Sequence, residues 1–238
     1  MVKLTDITAW LDRTLRVADF DDASNNGLQI ARDGVDVRRV AVAVDASVRA
    51  VVAAAGSGAD LLVVHHGISW GGGIRRIDGG AYRVIRAAME SNLALYACHL
   101  PLDAHPTLGN NAQLAKILGL RRVRPAFSYH GNVIGVVGDS ARVRTVMIGD
   151  SRFEVPRGRI GVCSGGAGEF AEEAKRLGCA LYITGEASWG DVVAAENCGM
   201  RMICAGHYTT EVFGVRAIAA AMRRSLKLTV DDLTEELA

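Results

Sequence analysis

Two adjacent histidines follow a run of four large apolar residues in the segment 61–67, LLVVHHG. A short apolar run bounded by a turn signal is typical of a strand buried on both faces of a sheet. His65 and His66 therefore lie where a buried strand ends, and there the backbone can turn so that both imidazoles face one crevice. Adjacent histidines are a weak motif, and the alternative is a polar loop with two ordinary histidines. Further ligands at the same edge of the sheet would decide between the two.

Two more predicted strands end in residues of the types that bind divalent metals. LALYAC is followed by His99, with Asp103 four residues later, and MRMICAG is followed by His207, with Glu211 four residues later. In open α/β sheets, ligand sites form beyond the carboxyl ends of the strands. His207 and Glu211 lie at the start of a predicted helix, where a spacing of four places both on one helical face.

These strand ends predict a metal site with nitrogen and oxygen ligands. The candidate ligands are three imidazoles and two carboxylates: His65, His66, Asp103, His207 and Glu211. One catalytic zinc takes about three protein ligands, so five suit two divalent metal ions with a bridging carboxylate and water in the open positions. Mixed ligation of this kind fits Zn, Fe, Mn, Ni or Co and does not select among them. The alternative is that some of these histidines only hold loops or form hydrogen bonds in the core.

Two residues are candidates for proton transfer, and two neighbouring features have alternative interpretations. His99 and Glu186, which ends the apolar strand CALYITGE, are the general acid and base candidates. For Glu186 the alternative is helix capping or a hydrogen bond to its turn. Trp70 could present an aromatic surface to a base or merely pack its loop. The glycine-rich segment CSGGAGEF (163–170) matches no phosphate-binding motif, and we interpret it as a tight turn rather than a phosphate cradle.

Composition and charge exclude several classes of protein. The 238 residues are 50% hydrophobic and 22% charged, which is ordinary for a globular protein with one large or two small domains. The 27 basic and 26 acidic residues nearly cancel, so no overall field favours nucleic acid or an anionic membrane. The densest local basic patch is formed by Arg121, Arg122 and Arg124.

The cysteines and the hydropathy pattern predict a cytoplasmic protein. There are five cysteines, an odd number, and no C-x-x-C motif, which favours free thiols in a reducing compartment. The first fifteen residues have helical spacing rather than the apolar core of a signal peptide. No apolar stretch reaches the roughly 20 residues that a membrane-spanning helix needs, so we expect no membrane association.

Alternating strands and helices up to residue 119 predict an α/β fold with a mainly parallel sheet flanked by helices. After the segment RRVRP the sequence pattern changes to one of short strands, and Pro125 marks a domain boundary. Alternation resumes at RIGVCSGG, so two α/β units follow each other along the chain. The last helix is expected to begin near Thr209 and to be followed by a charged tail.

Five segments in the same order resemble one known family. They are SNNGLQ (24–29), VVHHGISW (63–70), HLPLDAHPTLGNNAQLA (99–115), ITGEASWGD (183–191) and AGHYTTE (205–211). The chain resembles the NIF-three-like family of dinuclear-metal, ring-forming proteins, also called GTP cyclohydrolase 1 type 2 homologues, and among them the bacterial YbgI-type members. The resemblance covers nearly the whole chain.

The resemblance implies a ligand set, an architecture and an assembly. The family's metal ligands fall on the five residues already selected, with Glu211 as the bridge, and the counterpart of His99 lies near the metals. The family has a second α/β domain inserted in the first, which carried over gives a metal-binding domain of residues 1–124 and 206–238 and an inserted domain of residues 125–205. The family also assembles into a hexameric toroid whose sites face an inner cavity, which implies a homohexamer here.

The leading hypothesis is a metal-dependent hydrolase that uses metal-activated water on a small, nucleotide-like substrate. The family label suggests opening of the guanine ring of GTP, although no recognisable purine- or triphosphate-binding motif is present. Hydrolysis of a phosphoester bond in a modified nucleotide is the close alternative. The alternative of another class is a non-catalytic, ring-shaped metal-binding scaffold or regulatory protein in a stress or DNA-damage response.

Overall fold

The computed structural model describes all residues from Met1 to Ala238. By their internal contacts the residues form two compact units, residues 1–102 with 215–238 and residues 103–214. Each unit contains a mixed sheet flanked by helices, so the predicted α/β class is confirmed. None of the helices has both the length and the apolar character that a membrane span requires.

Strands and helices alternate along most of the chain. The order begins with β1 (Val2–Lys3), α1 (Leu4–Leu15), a short 3-10 helix (Val17–Asp19), β2 (Gly27–Ile30), β3 (Asp36–Val37), β4 (Arg39–Asp45), α2 (Val48–Gly56), β5 (Leu61–His66), α3 (Gly79–Glu90) and β6 (Ala94–Ala97). It continues with α4 (Leu100–Ala104), α5 (Asn110–Ile117), β7 (Arg121–Tyr129), β8 (Asn132–Ser140), β9 (Arg144–Ile148), β10 (Ser151–Val155), β11 (Gly158–Gly166) and a second 3-10 helix (Gly168–Phe170). It ends with α6 (Ala171–Arg176), β12 (Cys179–Glu186), α7 (Trp189–Asn197), β13 (Met202–Cys204), α8 (His207–Leu226) and β14 (Thr229–Asp232).

The first unit is organised around a five-stranded sheet in the order β14-β4-β5-β6-β2. Its strands are parallel except β2, which pairs antiparallel with β6. Ala41, Leu62 and Leu95 are direct neighbours across β4, β5 and β6 and pack with Val51 of α2 and Ala88 of α3. Burial of a side chain such as Leu62 contributes about 2 kcal/mol to folding. The apolar run before His65 is therefore a buried central strand, as predicted.

The second unit contains a five-stranded sheet in the order β13-β12-β11-β8-β7. β11, β12 and β13 are parallel, whereas β11, β8 and β7 pair antiparallel. Ile160, Val162, Leu181 and Ile183 of the central strands form one core cluster with Leu114 of α5. Because Ser164 and Glu186 lie at the carboxyl ends of the parallel strands β11 and β12, this sheet also presents polar residues at that edge.

The domain boundaries expected from the sequence differ from the division by contacts. Residues 103–124 and 206–214 belong by contacts to the second unit. Leu114 of α5 and Leu118 directly after it lie in the core of that unit, and Phe213 of α8 packs against it. Compact units are not the same as inserted domains, so the predicted insertion of residues 125–205 stays a prediction.

Three local expectations differ from the structure. Pro125 lies inside β7, paired with Val136, and this is tolerated because β7 is an edge strand of its sheet. α8 begins at His207, two residues before the expected Thr209. The charged tail contributes β14, a strand parallel to β4, in which buried Val230 alternates with more exposed residues.

Candidate metal centre

Three histidines lie together at the carboxyl ends of β5 and β6 in the first unit. The strands are paired through Val64 and Ala97, so the residues that follow them emerge at the same edge of the sheet. His65, His66 and His99 each offer a ring nitrogen that lies within 4.8 Å of the other two. We call these three residues the histidine cluster. Their types and spacing allow them to hold a metal ion.

The rings of the two adjacent histidines lie close together. The ring centroids of His65 and His66 are 4.5 Å apart, and His99 lies 5.2 and 5.6 Å from them. Gly67 makes the close turn after the pair possible, because a Cβ there would lie 2.2 Å from the side-chain oxygen of Gln29. That same Gln29 oxygen accepts hydrogen bonds from the backbone N–H groups of the following loop at Ile68 and Ser69.

Each imidazole of the histidine cluster is oriented by a hydrogen bond through Nδ1. His65 Nδ1 lies 3.0 Å from the Cys98 carbonyl oxygen, and His66 Nδ1 lies 2.8 Å from Asp45 Oδ1. His99 Nδ1 lies 2.9 Å from Asp22 Oδ1. A neutral imidazole that donates from Nδ1 carries its lone pair on Nε2. Metal-binding histidines in proteins typically have this second hydrogen bond, which fixes the tautomer and the ring orientation.

Asp22 organises the position of His99 and was missed by sequence reasoning. Its Oδ1 also accepts from the Ser24 backbone N–H, and its Oδ2 accepts from Asn26 Nδ2 and the Leu100 backbone N–H, each at 2.9 to 3.0 Å. Burial raises the pKa of Asp22, but the hydrogen bond and charge of His99, with the bonds from Asn26 and Ser24, lower it from 3.8 to about 2. Its position just before the SNNGLQ segment was the only signal in the sequence.

Trp70 flanks the histidine cluster. Its indole Nε1 donates to the Gly67 carbonyl oxygen at 2.9 Å, and its ring meets His99 edge-on with centroids 5.1 Å apart. The side chain is 38% exposed. The indole is therefore both packed in its loop and available as an aromatic surface beside the cluster.

Two carboxylates in the second unit are buried close to each other. Asp103 is 6% exposed and Glu211 is 2% exposed, and each offers an oxygen within 4.8 Å of the other. Asp103 Oδ1 accepts from Asn110 Nδ2 and from Ser164 Oγ, both at 2.9 Å. Two like charges buried together are costly unless a cation balances them. We call these residues the carboxylate pair, and their arrangement fits a divalent metal ion.

His207 joins the carboxylate pair through the first turn of α8. Its Nε2 lies 3.2 Å from Glu211 Oε1, and its Nδ1 lies 3.0 Å from Glu186 Oε1. The hydrogen bond with Glu211 is the largest cause that raises the pKa of His207 from 6.5 to about 9, against an opposing effect of burial, and Glu186 adds to the increase. A metal at Nε2 would displace this proton and take over the charge balance with the carboxylates.

Glycines bring the end of β11 against Glu211. Gly165 has φ +67°, and a Cβ there would lie 2.3 Å from Glu211 Oε1 and 3.3 Å from His207 Nε2. At Gly185 a Cβ would lie 2.6 Å from the Gly165 carbonyl oxygen. The glycine-rich segment therefore serves close packing around a buried carboxylate. Sequence reasoning found the turn but did not connect it with Glu211.

The predicted site residues thus fall into groups within each unit. His65, His66 and His99 lie together in the first unit, and Glu186, His207 and Glu211 lie together in the second, with Asp103 near Glu211. The donors are imidazole nitrogens and carboxylate oxygens, which suit Zn, Fe, Mn, Ni or Co. His, Asp and Glu clusters of this structure can therefore bind a metal.

Comparisons with known proteins point to one family. The family model described as Duf34/NIF3 (NGG1p interacting factor 3) matches residues 2–235. A Deinococcus radiodurans protein named GTP cyclohydrolase 1 type 2 homolog is 42% identical over 90% of this chain and 86% of its own length. A protein of the same name from Pyrococcus horikoshii is 37% identical over 92% of each chain.

Solved structures agree with the sequence matches. Protein ybgI, of unknown function, has a TM-score of 0.85 at 29% identity and covers 98% of both chains. TTHA1606 from Thermus thermophilus has a TM-score of 0.79 at 30% identity with the same coverage.

Proposed function

This chain belongs to the Duf34/NIF3 family, and from that membership and its clusters of metal-binding residues we propose that it is a metal-dependent hydrolase of a small, nucleotide-like substrate. The relatives' shared name, GTP cyclohydrolase 1 type 2 homolog, supports a substrate of the nucleotide class. Opening of the guanine ring of GTP and hydrolysis of a phosphoester bond in a modified nucleotide are the two reactions to compare.

The proposed cofactor is a pair of divalent metal ions in each subunit. The proposed ligands are His65, His66, Asp103, His207 and Glu211, with Glu211 as the bridge. Bound ions would supply Lewis-acid polarisation of the bond under attack and a water of lowered pKa. The buried carboxylate pair supports this assignment because its negative charge requires compensation.

The observation that carries the proposal is the anchoring of the histidine cluster. All three imidazoles bond through Nδ1 to an oxygen acceptor, which leaves the lone pair on Nε2. This shared orientation is the one that metal-binding histidines in proteins typically have.

His99 and Glu186 are the proposed groups for proton transfer. Asp22 holds His99 through Nδ1, so proton exchange with substrate or water would take place at Nε2. Glu186 has a side chain that is 64% exposed, and it accepts from His207 Nδ1, so it can take a proton at the solvent-facing side of its group. Trp70 is the proposed stacking surface for the base of the substrate.

The test is a hydrolysis screen of metal-loaded protein on nucleoside triphosphates, modified nucleotides and simple phosphoesters. Glu211→Gln should lose turnover, since the amide cannot supply a bridging anion. Glu196→Gln, the same change on the exposed surface of α7, should retain it. Phosphate or ring-opened product from wild type, absent in Glu211→Gln, supports the proposal.

Full metal loading without turnover on any of these substrates would contradict the hydrolase proposal. That outcome would leave the metal assignment standing and favour a non-catalytic, metal-binding scaffold. Loss of turnover in Glu196→Gln to the same extent would show that the assay reports general damage rather than the site.

Family resemblance also leads us to propose a homohexameric ring. Large apolar side chains at separate places on the surface are available for contacts with other copies. Met147 of β9, Met89 of α3 and Trp189 of α7 are each more than half exposed.

A further inference from the structure

A second polar site lies at the opposite end of β11 from Ser164 and Gly165. Where β7 and β11 begin and β8 ends, a pocket of about 410 Å³ is lined by three arginines, Arg121, Arg122 and Arg157. Asp139 and Gly158 also line it. We infer that this arginine pocket binds a small phosphate-bearing anion of the diphosphate class.

The strand register brings the arginines to one place. β7 and β8 pair Arg121 with Asp139, and β8 and β11 pair Ser140 with Gly158, so three strand ends meet at this edge. Arg157 directly precedes β11. Gly158, with φ +127°, is the first residue of β11 and lines the pocket.

A bulge in β7 lets two consecutive arginines face the same pocket. In a regular strand Arg121 and Arg122 would point to opposite faces of the sheet. The register shifts between Arg121 and Arg124, and Arg122 has φ +51°, a conformation that residues with a side chain rarely adopt. Bulges of this kind re-aim side chains and are frequent beside functional sites.

The surrounding segment has a charge that the rest of the chain does not share. Residues 121–159 contain eight arginines, three acidic residues and no lysine, a net charge of +5 in a chain of net charge +1. The rest of the chain is therefore net negative by four charges. The exclusive use of arginine matters, because its planar fork of N–H donors matches two phosphate oxygens at once.

Within the pocket the positive charge is only partly neutralised. Arg122 Nε donates to Asp139 Oδ2 at 2.9 Å, which uses one of the five N–H donors of that guanidinium. Asp139 is the single acidic residue in the lining, against three arginines. The lining thus has an excess of two positive charges, which suits a multivalent anion.

Another arginine-lined pocket, in the first unit, has a smaller excess, because Arg32, Arg38 and Arg39 share its lining with Asp36 and Asp60. There Asp60 accepts from the backbone N–H of Arg38 at 2.7 Å and pairs with Arg32 at 3.0 Å. Arg39 pairs with Asp231 at 2.9 Å. Arg32 and Arg39 are therefore each paired with a carboxylate, which leaves less positive charge for an anion than in the arginine pocket.

The shape of the arginine pocket favours a small ligand over a nucleic acid. Its volume falls in the range of small-molecule sites, roughly 300–1,000 Å³. Binding along a nucleic-acid backbone needs an extended basic stripe, whereas these three arginines line a single pocket. The ligand therefore carries a diphosphate group, either free or as part of an ester.

The test is calorimetric titration of inorganic diphosphate into the purified, metal-loaded protein. Arg121→Ala and Arg157→Ala should each weaken binding about tenfold, since each removes a charge-assisted contact at a solvent-exposed site. Arg152→Ala removes the same charge from the same segment, outside the pocket, and should leave the affinity unchanged. Equal weakening by Arg152→Ala would overturn the inference, because it would show general charge attraction.

Diphosphate can also bind metal ions, so a second variant separates the two sites. Glu211→Gln should retain the arginine-dependent binding, whatever it does to metal or turnover. Binding that disappears in Glu211→Gln and persists in Arg121→Ala would overturn the inference. Arginine-dependent binding of a short single-stranded oligonucleotide, without binding of diphosphate, would overturn it as well.

Discussion

At the scale of the residue, Asp22 holds several neighbouring groups in place through its carboxylate. Its carboxylate is buried, with 2% of the side chain exposed, and it accepts hydrogen bonds from His99, Asn26, Ser24 and Leu100. Four donors converge on two oxygens, so the position of His99 depends on the negative charge of this one group. An amide in its place would turn an N–H group toward two of these donors.

We therefore expect Asp22→Asn to lower the free energy of unfolding by about 2 kcal/mol, since a buried charged acceptor is lost. Chemical denaturation at neutral pH measures the difference. Asp33→Asn, on an exposed residue, is the matched control and should change stability little. A variant as stable as wild type would show that the hydrogen bonds to Asp22 contribute nothing.

The same residue predicts a pH dependence. The pKa of Asp22 is lowered to about 2 in the folded protein from a usual value of 3.8, so its charged form is the one the fold stabilises. Its contribution is fully present above pH 3.8 and is lost as the pH falls through about 2. The stability difference between wild type and Asp22→Asn should therefore shrink in this acid range, and a difference that grows there would contradict the assignment.

Gly165 tests whether the end of β11 positions Glu211. Gly165→Ala should cost the strain of a positive φ and, in addition, about 2 kcal/mol for a Cβ that would lie 2.3 Å from Glu211 Oε1. Gly131→Ala is the matched control, because Gly131 also has a positive φ but no atom within 4 Å of a new Cβ. We expect it to cost only about 1 kcal/mol. Thermal unfolding of both variants, with metal content measured beside it, makes the comparison.

Equal destabilisation by the two alanine substitutions, with metal content unchanged in Gly165→Ala, would contradict the role of Gly165. It would mean that Glu211 can shift without consequence for the site.

At the scale of the element, one hydrogen bond links α1 to the first sheet. The Tyr96 hydroxyl donates to Asp12 Oδ1 of α1 at 2.7 Å, and burial raises the pKa of this tyrosine well above its usual range. Tyr96→Phe should lower the free energy of unfolding by about 1 kcal/mol. Tyr82→Phe changes an exposed tyrosine of α3 and should have no measurable effect. Equal stability of Tyr96→Phe and wild type would show that apolar packing alone holds α1.

The central strands could be predicted from the sequence because their apolar runs report burial directly. β5 is the clearest case, since LLVV is buried on both faces and no polar residue interrupts it. β14 could not be predicted in this way, because it is an edge strand in a charged tail and Val230 is the only one of its four residues that is buried. Pro125 lies within β7 for a related reason, because an edge strand tolerates a residue without an N–H group.

The sequence predicted the types of the candidate ligands. It did not predict the residues that position them. His65, His66 and His99 follow apolar strands, so their meeting follows from parallel pairing. Asp22 is 77 residues from His99 along the chain and lies in a loop, so no periodicity connects them. The contact between Gly165 and Glu211 could not be predicted either, because a glycine has no side chain that suggests a contact.

At the scale of the whole molecule, the proposed ring predicts a defined mass. Six copies of the 25.2 kDa chain would give about 151 kDa in solution. Light scattering coupled to size-exclusion chromatography measures this directly. A monomer over a range of protein concentrations would contradict the proposed homohexamer without bearing on the metal ligands.

The central claim is that five residues bind two divalent ions in each chain. Elemental analysis of purified, metal-reconstituted protein tests it, with His65→Ala and Glu211→Ala beside wild type. His130→Ala, which removes an exposed histidine, is the control. We expect two ions per chain in wild type and in His130→Ala, and fewer in both site variants. Retention of two ions per chain by folded His65→Ala and Glu211→Ala would contradict the account.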